Sequence, residues 1–244
     1  MRDKAAIRES VWTAMVEAGA ARGRNVRDRI PDFHGSQEAA GRIFDLPAWQ
    51  SARVIKSNPD RPQRPLRQQA LQEGKVLYMA VPRLRQMEAF IALDPATLQA
   101  TPAKAATIAG AFRYGRLVMI EEMQPVDLVI SGSVAVNRSG TRVGKGGGFA
   151  DLEYGLAVAA GIVGRDTPVI TTVHAMQVLE EELPWTQHDV PLDYIATPDD
   201  TIRCDGEMPR PIGIYWDDLD DAKIMEIPLL QKLRQAQGDI RQSR

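Results

Sequence analysis

The chain has 244 residues, of which 44% are hydrophobic and 25% are charged, a composition typical of a globular protein with a sizeable core. Its 30 basic and 32 acidic residues give a formal net charge of −2, so nothing in the overall charge favours binding to nucleic acid or to an anionic membrane. A single cysteine, Cys204, excludes an internal disulfide framework and is typical of a reducing compartment. There is no apolar run of membrane-spanning length and no hydrophobic signal core after Met1, so we predict a cytoplasmic protein. We expect one domain over residues 1–244, acting as a monomer.

Hydrophobic spacing predicts alternating helices and strands along the first half of the chain. An amphipathic helix over 3–18 carries Lys4 and Arg8 one turn apart, which forms either a solvated cationic face or an anion contact. The same patterns predict a helix from Ser36 limited by Pro47, a strand over 52–56, a stiff proline-rich loop over 57–65, a helix over 66–73, strands over 75–81 and 90–93, a helix from Thr101, and a strand over 117–120.

Two irregular segments of this half are candidates for ligand contact. The segment 20–35 has no periodicity and carries Arg22, Arg24, Arg27 and Arg29, so it is a basic loop that contacts either an anionic ligand or a partner. The proline-rich loop 57–65 follows a predicted strand, where it could line a ligand crevice or act only as a connector.

The most concentrated motif is a glycine loop over residues 140–151, with Gly140, four glycines within Gly144–Gly148, two cations and Asp151. It lies between a β-branched run over 126–136, predicted to be one buried strand, and a predicted helix over 151–160. This order directs backbone N–H groups and a helix N-terminus at an anion, usually a phosphate. A flexible turn is the alternative, although Arg142 and Lys145 favour an anion site.

Common catalytic motifs are missing from the sequence. Only three residues separate Gly140 from Gly144, and Gly146 follows Lys145, so this is not a Walker loop. Position 149 is Phe, which also excludes G-x-G-x-x-G. The three histidines lie far apart, which does not predict a zinc site, and no G-x-S-x-G elbow occurs.

The rest of the chain continues the alternation of elements. Strands are predicted over 167–173 and 194–197, joined by a loop in which His188 and Asp189 form either a polar turn or part of a site, and a helix interrupted by Pro228 follows Asp217. The alternation predicts an α/β fold with a mostly parallel sheet covered on both faces in three layers.

Several of these motifs together resemble the 5-formyltetrahydrofolate cyclo-ligase (5,10-methenyltetrahydrofolate synthetase) family. They are Lys4 and Arg8, the run Gly140-x-Arg-x-Gly-x-Gly-Gly-Gly-Phe-x-Asp151, and Leu183-Pro-x-x-x-His-Asp189-x-x-x-Asp193-x-Ile-x-Thr197. The runs Lys56-Ser-Asn-Pro-Asp60 and Tyr78-Met-Ala-Val-Pro-Arg-Leu84 are similar to the branch of methenyltetrahydrofolate synthetase domain-containing proteins. The resemblance implies the fold shared by ribose-5-phosphate isomerase and CoA transferases.

The resemblance implies ATP- and Mg²⁺-dependent closure of 5-formyltetrahydrofolate to 5,10-methenyltetrahydrofolate, with release of ADP and phosphate. The formyl oxygen would take the γ-phosphoryl group, after which N10 would close on the formyl carbon. Such a reaction needs positioning and charge neutralisation. The resemblance assigns Arg142 and Lys145 to catalysis and Asp151 and Asp189 to magnesium, and it assigns the nucleotide to Lys4, Arg8, Gly144, Lys145, Gly146, Gly147, Gly148, Phe149 and Asp151.

The sequence also departs from the family pattern around the expected substrate pocket. The usual Tyr-Tyr-Asp-Arg run is Phe149-Ala150-Asp151-Leu152 here, and the proline-rich loop replaces a segment that carries a glutamate. Asp60 could replace that glutamate, and Phe149 could contact the substrate. Two alternatives follow: a nucleotide-binding relative that binds RNA or protein without ligase activity, and an ATP-dependent enzyme acting on another substrate.

Overall fold

The computed structural model describes residues 2–23 and 25–242, with side chains described as far as residue 236. Arg24 of the basic loop lies outside the described residues. The helices are α1 Lys4–Glu17, α2 Ser36–Phe44, α3 Pro47–Ser51, α4 Arg64–Gln72, α5 Pro102–Ala105, α6 Ile108–Tyr114, α7 Phe149–Ala159, α8 Asp221–Glu226 and α9 Pro228–Gln242. None of them, over the described ranges, combines the length and apolarity needed to cross a lipid bilayer.

The strands form one large and one small sheet. They are β1 Val54–Ser57, β2 Val76–Ala80, β3 Phe90–Leu93, β4 Arg116–Val118, β5 Leu128–Ile130, β6 Ala135–Asn137, β7 Arg142–Val143, β8 Val169–Thr172, β9 Val178–Leu179, β10 Tyr194–Ala196 and β11 Thr201–Arg203. The eight-stranded sheet has the order β11-β10-β8-β5-β1-β2-β3-β4, and β7-β6-β9 form the second. Neighbours from β10 to β2 are parallel, and the outer pairs are antiparallel.

Helices cover both faces of the large sheet, because successive side chains of a strand point to opposite faces. On β2, Leu77 and Met79 pack into a core that includes Leu66 of α4, whereas Tyr78 and Ala80 pack into a second core that includes Leu156 of α7 and the α9 leucines. This arrangement confirms the predicted three-layer α/β fold with a mostly parallel sheet.

The N-terminal helix is confirmed within one residue at each end. Asp3 caps α1, with its Oδ1 accepting a hydrogen bond from the Ala6 N–H at 2.7 Å. Ile7, Val11 and Met15 are buried in a third core, which α1 shares with β6 and β7. This packing places Lys4 and Arg8 beside the glycine loop, because β7 leads directly into that loop.

The single strand predicted over 126–136 is wrong. β5 ends at Ile130 and joins the large sheet, whereas β6 begins at Ala135 in the small one. Between them, the Gly132 N–H donates to Asn58 Oδ1 at 3.1 Å and the Gly132 carbonyl accepts from Arg142 Nη1 at 3.1 Å. Side chains therefore satisfy a backbone that a continuous strand would have paired with its neighbours.

The prediction of a loop over 57–65 is also partly wrong, because the second half of this segment is helical. Arg61–Gln63 form a 3₁₀ turn and α4 begins at Arg64, two residues earlier than predicted. Pro62 and Pro65 each lie in a first turn, where a proline costs no intrahelical hydrogen bond. Only residues 58–60 remain an open loop after β1.

The single cysteine, Cys204, is half-buried directly after β11. Burial raises the pKa of its thiol to about 12, and Asp193 and Asp205 add to the effect. A thiol with that pKa forms almost no thiolate at neutral pH, so Cys204 is not a nucleophile.

Candidate functional site

The glycine loop lies between two clefts near the carboxyl ends of β1 and β2. The larger cleft, of about 730 Å³, is lined by charged side chains and by the segments that follow both strands, including Asn58, Asp60, Arg83, Lys145 and Glu153. The smaller cleft, of about 320 Å³, is lined by Asp151, His188, Tyr215, Asp218 and Lys223 among others. Gly146 and Gly147 line both, and both volumes are ordinary for small-molecule sites.

The middle of the glycine loop presents free N–H groups. Gly146 and Gly148 have φ angles of 109° and 65°, in the region that favours glycine. α7 begins at Phe149 without a side-chain cap. Within the described residues, the N–H groups of 146–151 donate no hydrogen bond. A helix start with uncapped N–H groups can accept an anion, which is the contact that the motif predicts.

The two cations of α1 lie at the loop but contact protein groups. Arg8 Nε donates to the Gly144 carbonyl at 2.7 Å, and its guanidinium lies beside Gly146. Lys4 Nζ donates to Asp189 Oδ2 at 2.5 Å. The peptide plane fixes the Lys145 N–H opposite the Gly144 carbonyl, so Arg8 orients one of the loop donors. Arg8 also lines the larger cleft, whereas Lys4 lines neither.

Arg142 lies under the loop and not in a cleft. Its Nη2 forms a short ion pair with Asp151 Oδ1, its Nη1 donates to the Gly132 carbonyl, and the side chain is 2% exposed. The guanidinium thus connects the start of the loop to the first turn of α7. In this position Arg142 orients Asp151.

Lys145 is the loop cation that faces the larger cleft. Its Nζ donates to Asp60 Oδ1 at 2.8 Å, and 42% of its side chain is exposed. The sequence had suggested Asp60 only as a possible substrate contact, and the structure places it in the same cleft as Lys145 and Phe149. An exposed ion pair is weak, so a bound anion can replace Asp60 as the partner of Lys145.

The two carboxylates assigned to magnesium differ in their surroundings. Asp151 lines the smaller cleft, and its Oδ2 has no hydrogen-bond partner in the described part of the chain. It fits a Mg²⁺ ion held mainly by phosphate and water, which needs one or two protein oxygens. Asp189 Oδ2 accepts from Lys4 and from the Thr186 N–H and hydroxyl, and Asp189 lines neither cleft. Within residues 2–23 and 25–236, no group of three or more His, Cys, Asp or Glu side chains is arranged so that it could hold a metal ion.

His188 and Asp189 face different partners despite being adjacent. His188 Nδ1 lies 2.8 Å from Asp218 Oδ2, whereas Asp189 contacts Lys4. The hydrogen bonds from His188 and Gln187 hold the pKa of Asp218 below its ordinary value. His188 therefore belongs to the wall of the smaller cleft.

Sequence reasoning missed Lys223, which reaches the glycine loop from α8. Its Nζ donates to the Gly147 carbonyl at 2.7 Å and lies 3.4 Å from the centre of the Phe149 ring. Burial lowers the pKa of this ammonium. Because the Gly147 carbonyl and the Gly148 N–H share one peptide plane, Lys223 orients that N–H as Arg8 orients the one at Lys145. No local pattern indicates a contact that spans 76 residues.

Replacing Lys223 by methionine is expected to loosen the loop without unfolding the protein. The substitution keeps the apolar stem over Phe149 but removes the donor to Gly147. Amide hydrogen exchange of the peptide covering 144–148 should be several-fold faster in Lys223→Met, whereas Lys232→Met, which alters an exposed lysine on α9, should leave it unchanged. Equal exchange in Lys223→Met and the unaltered protein would contradict this role.

Comparison with known proteins identifies the chain. The model of the 5-formyltetrahydrofolate cyclo-ligase family matches residues 1–198, so the chain belongs to this family. The resemblance drawn from its motifs is thereby confirmed. Most of the glycine-loop site lies within the matched residues, whereas Tyr215, Asp218 and Lys223 lie beyond them.

The curated relatives share the name methenyltetrahydrofolate synthase domain-containing protein. The chain is 40% identical to that of Mus musculus over 235 residues, covering 95% of this chain and 63% of the relative. It is 39% identical to that of Homo sapiens over 232 residues, covering 93% and 60%. The chain thus spans about three-fifths of the length of these relatives.

A solved structure supports the fold. The NMR structure of Aquifex aeolicus 5,10-methenyltetrahydrofolate synthetase aligns with a TM-score of 0.53 and 20% identity, covering 88% of this chain and 99% of that one. At this level of identity the similarity establishes the shared fold, which the mostly parallel sheet already indicates.

Proposed function

We propose that this protein uses ATP and Mg²⁺ to convert 5-formyltetrahydrofolate to 5,10-methenyltetrahydrofolate, with release of ADP and phosphate. One observation carries the proposal: the free N–H groups of the glycine loop lie where two clefts of ligand size meet. Transfer of a phosphoryl group between two substrates needs such an anion site shared by both. Membership of the cyclo-ligase family supports this reaction.

In this proposal the residues of the loop have separate tasks. ATP supplies the phosphoryl group that makes the formyl oxygen a leaving group. The N–H groups of 146–148 bind phosphate oxygens, and Lys145 neutralises charge after leaving Asp60. Asp151, oriented by Arg142, holds the magnesium ion beside the phosphates. Lys223 holds the Gly147 carbonyl, which directs the Gly148 N–H to the anion, and Arg8 holds the Gly144 carbonyl at the start of this segment.

The proposal is tested by incubating the purified protein with 5-formyltetrahydrofolate and MgATP and following methenyltetrahydrofolate absorbance. Product should form only with both substrates and Mg²⁺, and phosphate release should match it one for one. Absence of ATP-dependent product would refute the proposal.

A second candidate is a family member that binds the nucleotide without closing the ring. Its support is that both loop cations are paired with carboxylates, Arg142 with Asp151 and Lys145 with Asp60, while Leu152 replaces the cation of the family motif. This candidate predicts a thermal shift with MgATP but no product. The two assays together separate the two functions.

A further inference from the structure

A buried charged group at the larger cleft remains unexplained by the phosphate chemistry. Glu153 of α7 is 4% exposed, and its Oε2 accepts hydrogen bonds from Lys56 Nζ at 2.6 Å and from Asn58 Nδ2 at 2.8 Å. Lys56 lies at 2% exposure on β1. The family motif quoted for the glycine loop ends at Asp151, so the resemblance assigns no role to Glu153.

One oxygen of this carboxylate is left for a ligand. Lys56 and Asn58 both donate to Oε2, whereas Oε1 has no hydrogen-bond partner in the described part of the chain. Oε1 is not completely enclosed by protein atoms. Glu153 and Asn58 both line the larger cleft. Burial raises the pKa of Glu153, and the ammonium of Lys56 opposes this effect. Two side chains therefore fix the Glu153 carboxylate in place, and its second oxygen can accept a hydrogen bond from a ligand in the cleft.

Stability alone does not account for such a pair. Removing two charges from water costs about as much as their attraction returns, so an apolar pair of similar size would stabilise the fold equally well or better. A charged pair that borders a cleft is explained if the carboxylate binds something there.

The charged side chains of the larger cleft differ in exposure. Its exposed or half-exposed part carries both cations and carboxylates, namely Arg8, Arg83, Lys145, Glu9, Asp28 and Asp60, whereas Glu153 is buried. Two of the outer carboxylates are paired, Asp60 with Lys145 and Glu9 with Arg27. Arg83 has a φ of 60°, a conformation that costs a non-glycine residue energy and is concentrated at functional sites. The cleft suits an elongated ligand with an anionic end and an end rich in N–H donors.

We propose that Glu153 binds the N–H edge of the substrate's heterocycle, an amino-pyrimidinone edge such as that of a pterin, while the outer cations bind its anionic end. This inference rests on the proposed function and names the residue that recognises the substrate. A carboxylate accepts hydrogen bonds from such an edge, and the planar ring would fill the space between Asn58 and Phe149. Lys56 and Asn58 are positioning residues, since both hold Glu153 Oε2 and leave Oε1 for the ligand.

The test uses a pair of substitutions that removes the charge without leaving a partner unpaired. Glu153→Gln alone leaves the Lys56 ammonium buried and is expected to destabilise the protein. The double variant Lys56→Met/Glu153→Gln should recover most of that stability in urea denaturation. Glu17→Gln, which alters an exposed glutamate at the end of α1, serves as the control.

Affinity is then measured by calorimetry with 5-formyltetrahydrofolate and, separately, with pterin. We expect the double variant to bind both probes about 10- to 100-fold more weakly, the loss of one charge-assisted hydrogen bond, while its thermal shift with MgATP stays unchanged. Wild-type affinity in the stable double variant would overturn the inference, as would failure of the unaltered protein to bind either probe. Pterin binding without ATP-dependent product would refute the proposed reaction but not the role of Glu153.

Discussion

Replacing Lys145 by alanine is expected to lower kcat/KM for methenyltetrahydrofolate formation by about 100- to 1,000-fold, the usual effect of removing one preorganised group that stabilises transition-state charge. Lys145 is the cation at the centre of the loop whose side chain faces the larger cleft, and its pairing with Asp60 is exposed enough to exchange for a phosphate. The fold should be unaffected, since the side chain is 42% exposed. Steady-state kinetics with both substrates varied would measure the effect.

The control for this prediction is Lys104→Ala, which alters an exposed lysine on α5 that lines neither cleft. A thermal shift with MgATP extends the test to a protein without turnover. The shift should be smaller in Lys145→Ala than in Lys104→Ala. Equal shifts and equal rates in the two variants would remove Lys145 from the site.

Replacing Arg67 by methionine is expected to reduce the free energy of unfolding by at least about 3 kcal/mol, since its hydrogen bonds are charge-assisted and their carbonyl acceptors would stay buried. Arg67 is 1% exposed. Its guanidinium donates to the carbonyls of Asn58 at 2.7 Å, Asp60 at 2.9 Å and Ala106 at 3.0 Å, and to that of Pro59 at 3.3 Å. Burial lowers the pKa of Arg67 to about 10, which leaves it charged at neutral pH.

Urea denaturation measures this loss, and Arg64→Met is the matched control one turn earlier on α4. Arg64 is exposed and, among the described residues, donates only to the Ala103 carbonyl at 3.0 Å, so its loss should cost well under about 1 kcal/mol. Similar losses for the two variants would contradict the prediction. Because Arg67 holds residues 58–60, Arg67→Met should also weaken binding of 5-formyltetrahydrofolate in the larger cleft.

Local sequence patterns determined the position of the glycine loop, helix α1 and the family. The glycine loop is visible in the sequence because a positive φ strongly favours glycine, and the structure has such angles at Gly140, Gly146 and Gly148. Helix α1 follows from apolar spacing and the Asp3 cap. The family followed from motifs at fixed spacing and is confirmed. The roles of the loop residues stay predictions.

Tertiary structure alone decided which charges meet. Lys56 and Glu153 are 97 residues apart, and Lys145 and Asp60 are separated by 85. The tertiary structure also decided that β5 and β6 belong to different sheets. The sequence does not show this break, because a β-branched run has the same pattern whether or not a distant side chain, here Asn58, binds its backbone in place of a neighbouring strand. Periodicity reports which side of an element is apolar, whereas the partner of a buried charge depends on how elements distant in the chain pack. The sequence therefore determined the family and the position of the glycine loop. The packing decided that the loop cations have carboxylate partners and that Glu153 faces the larger cleft.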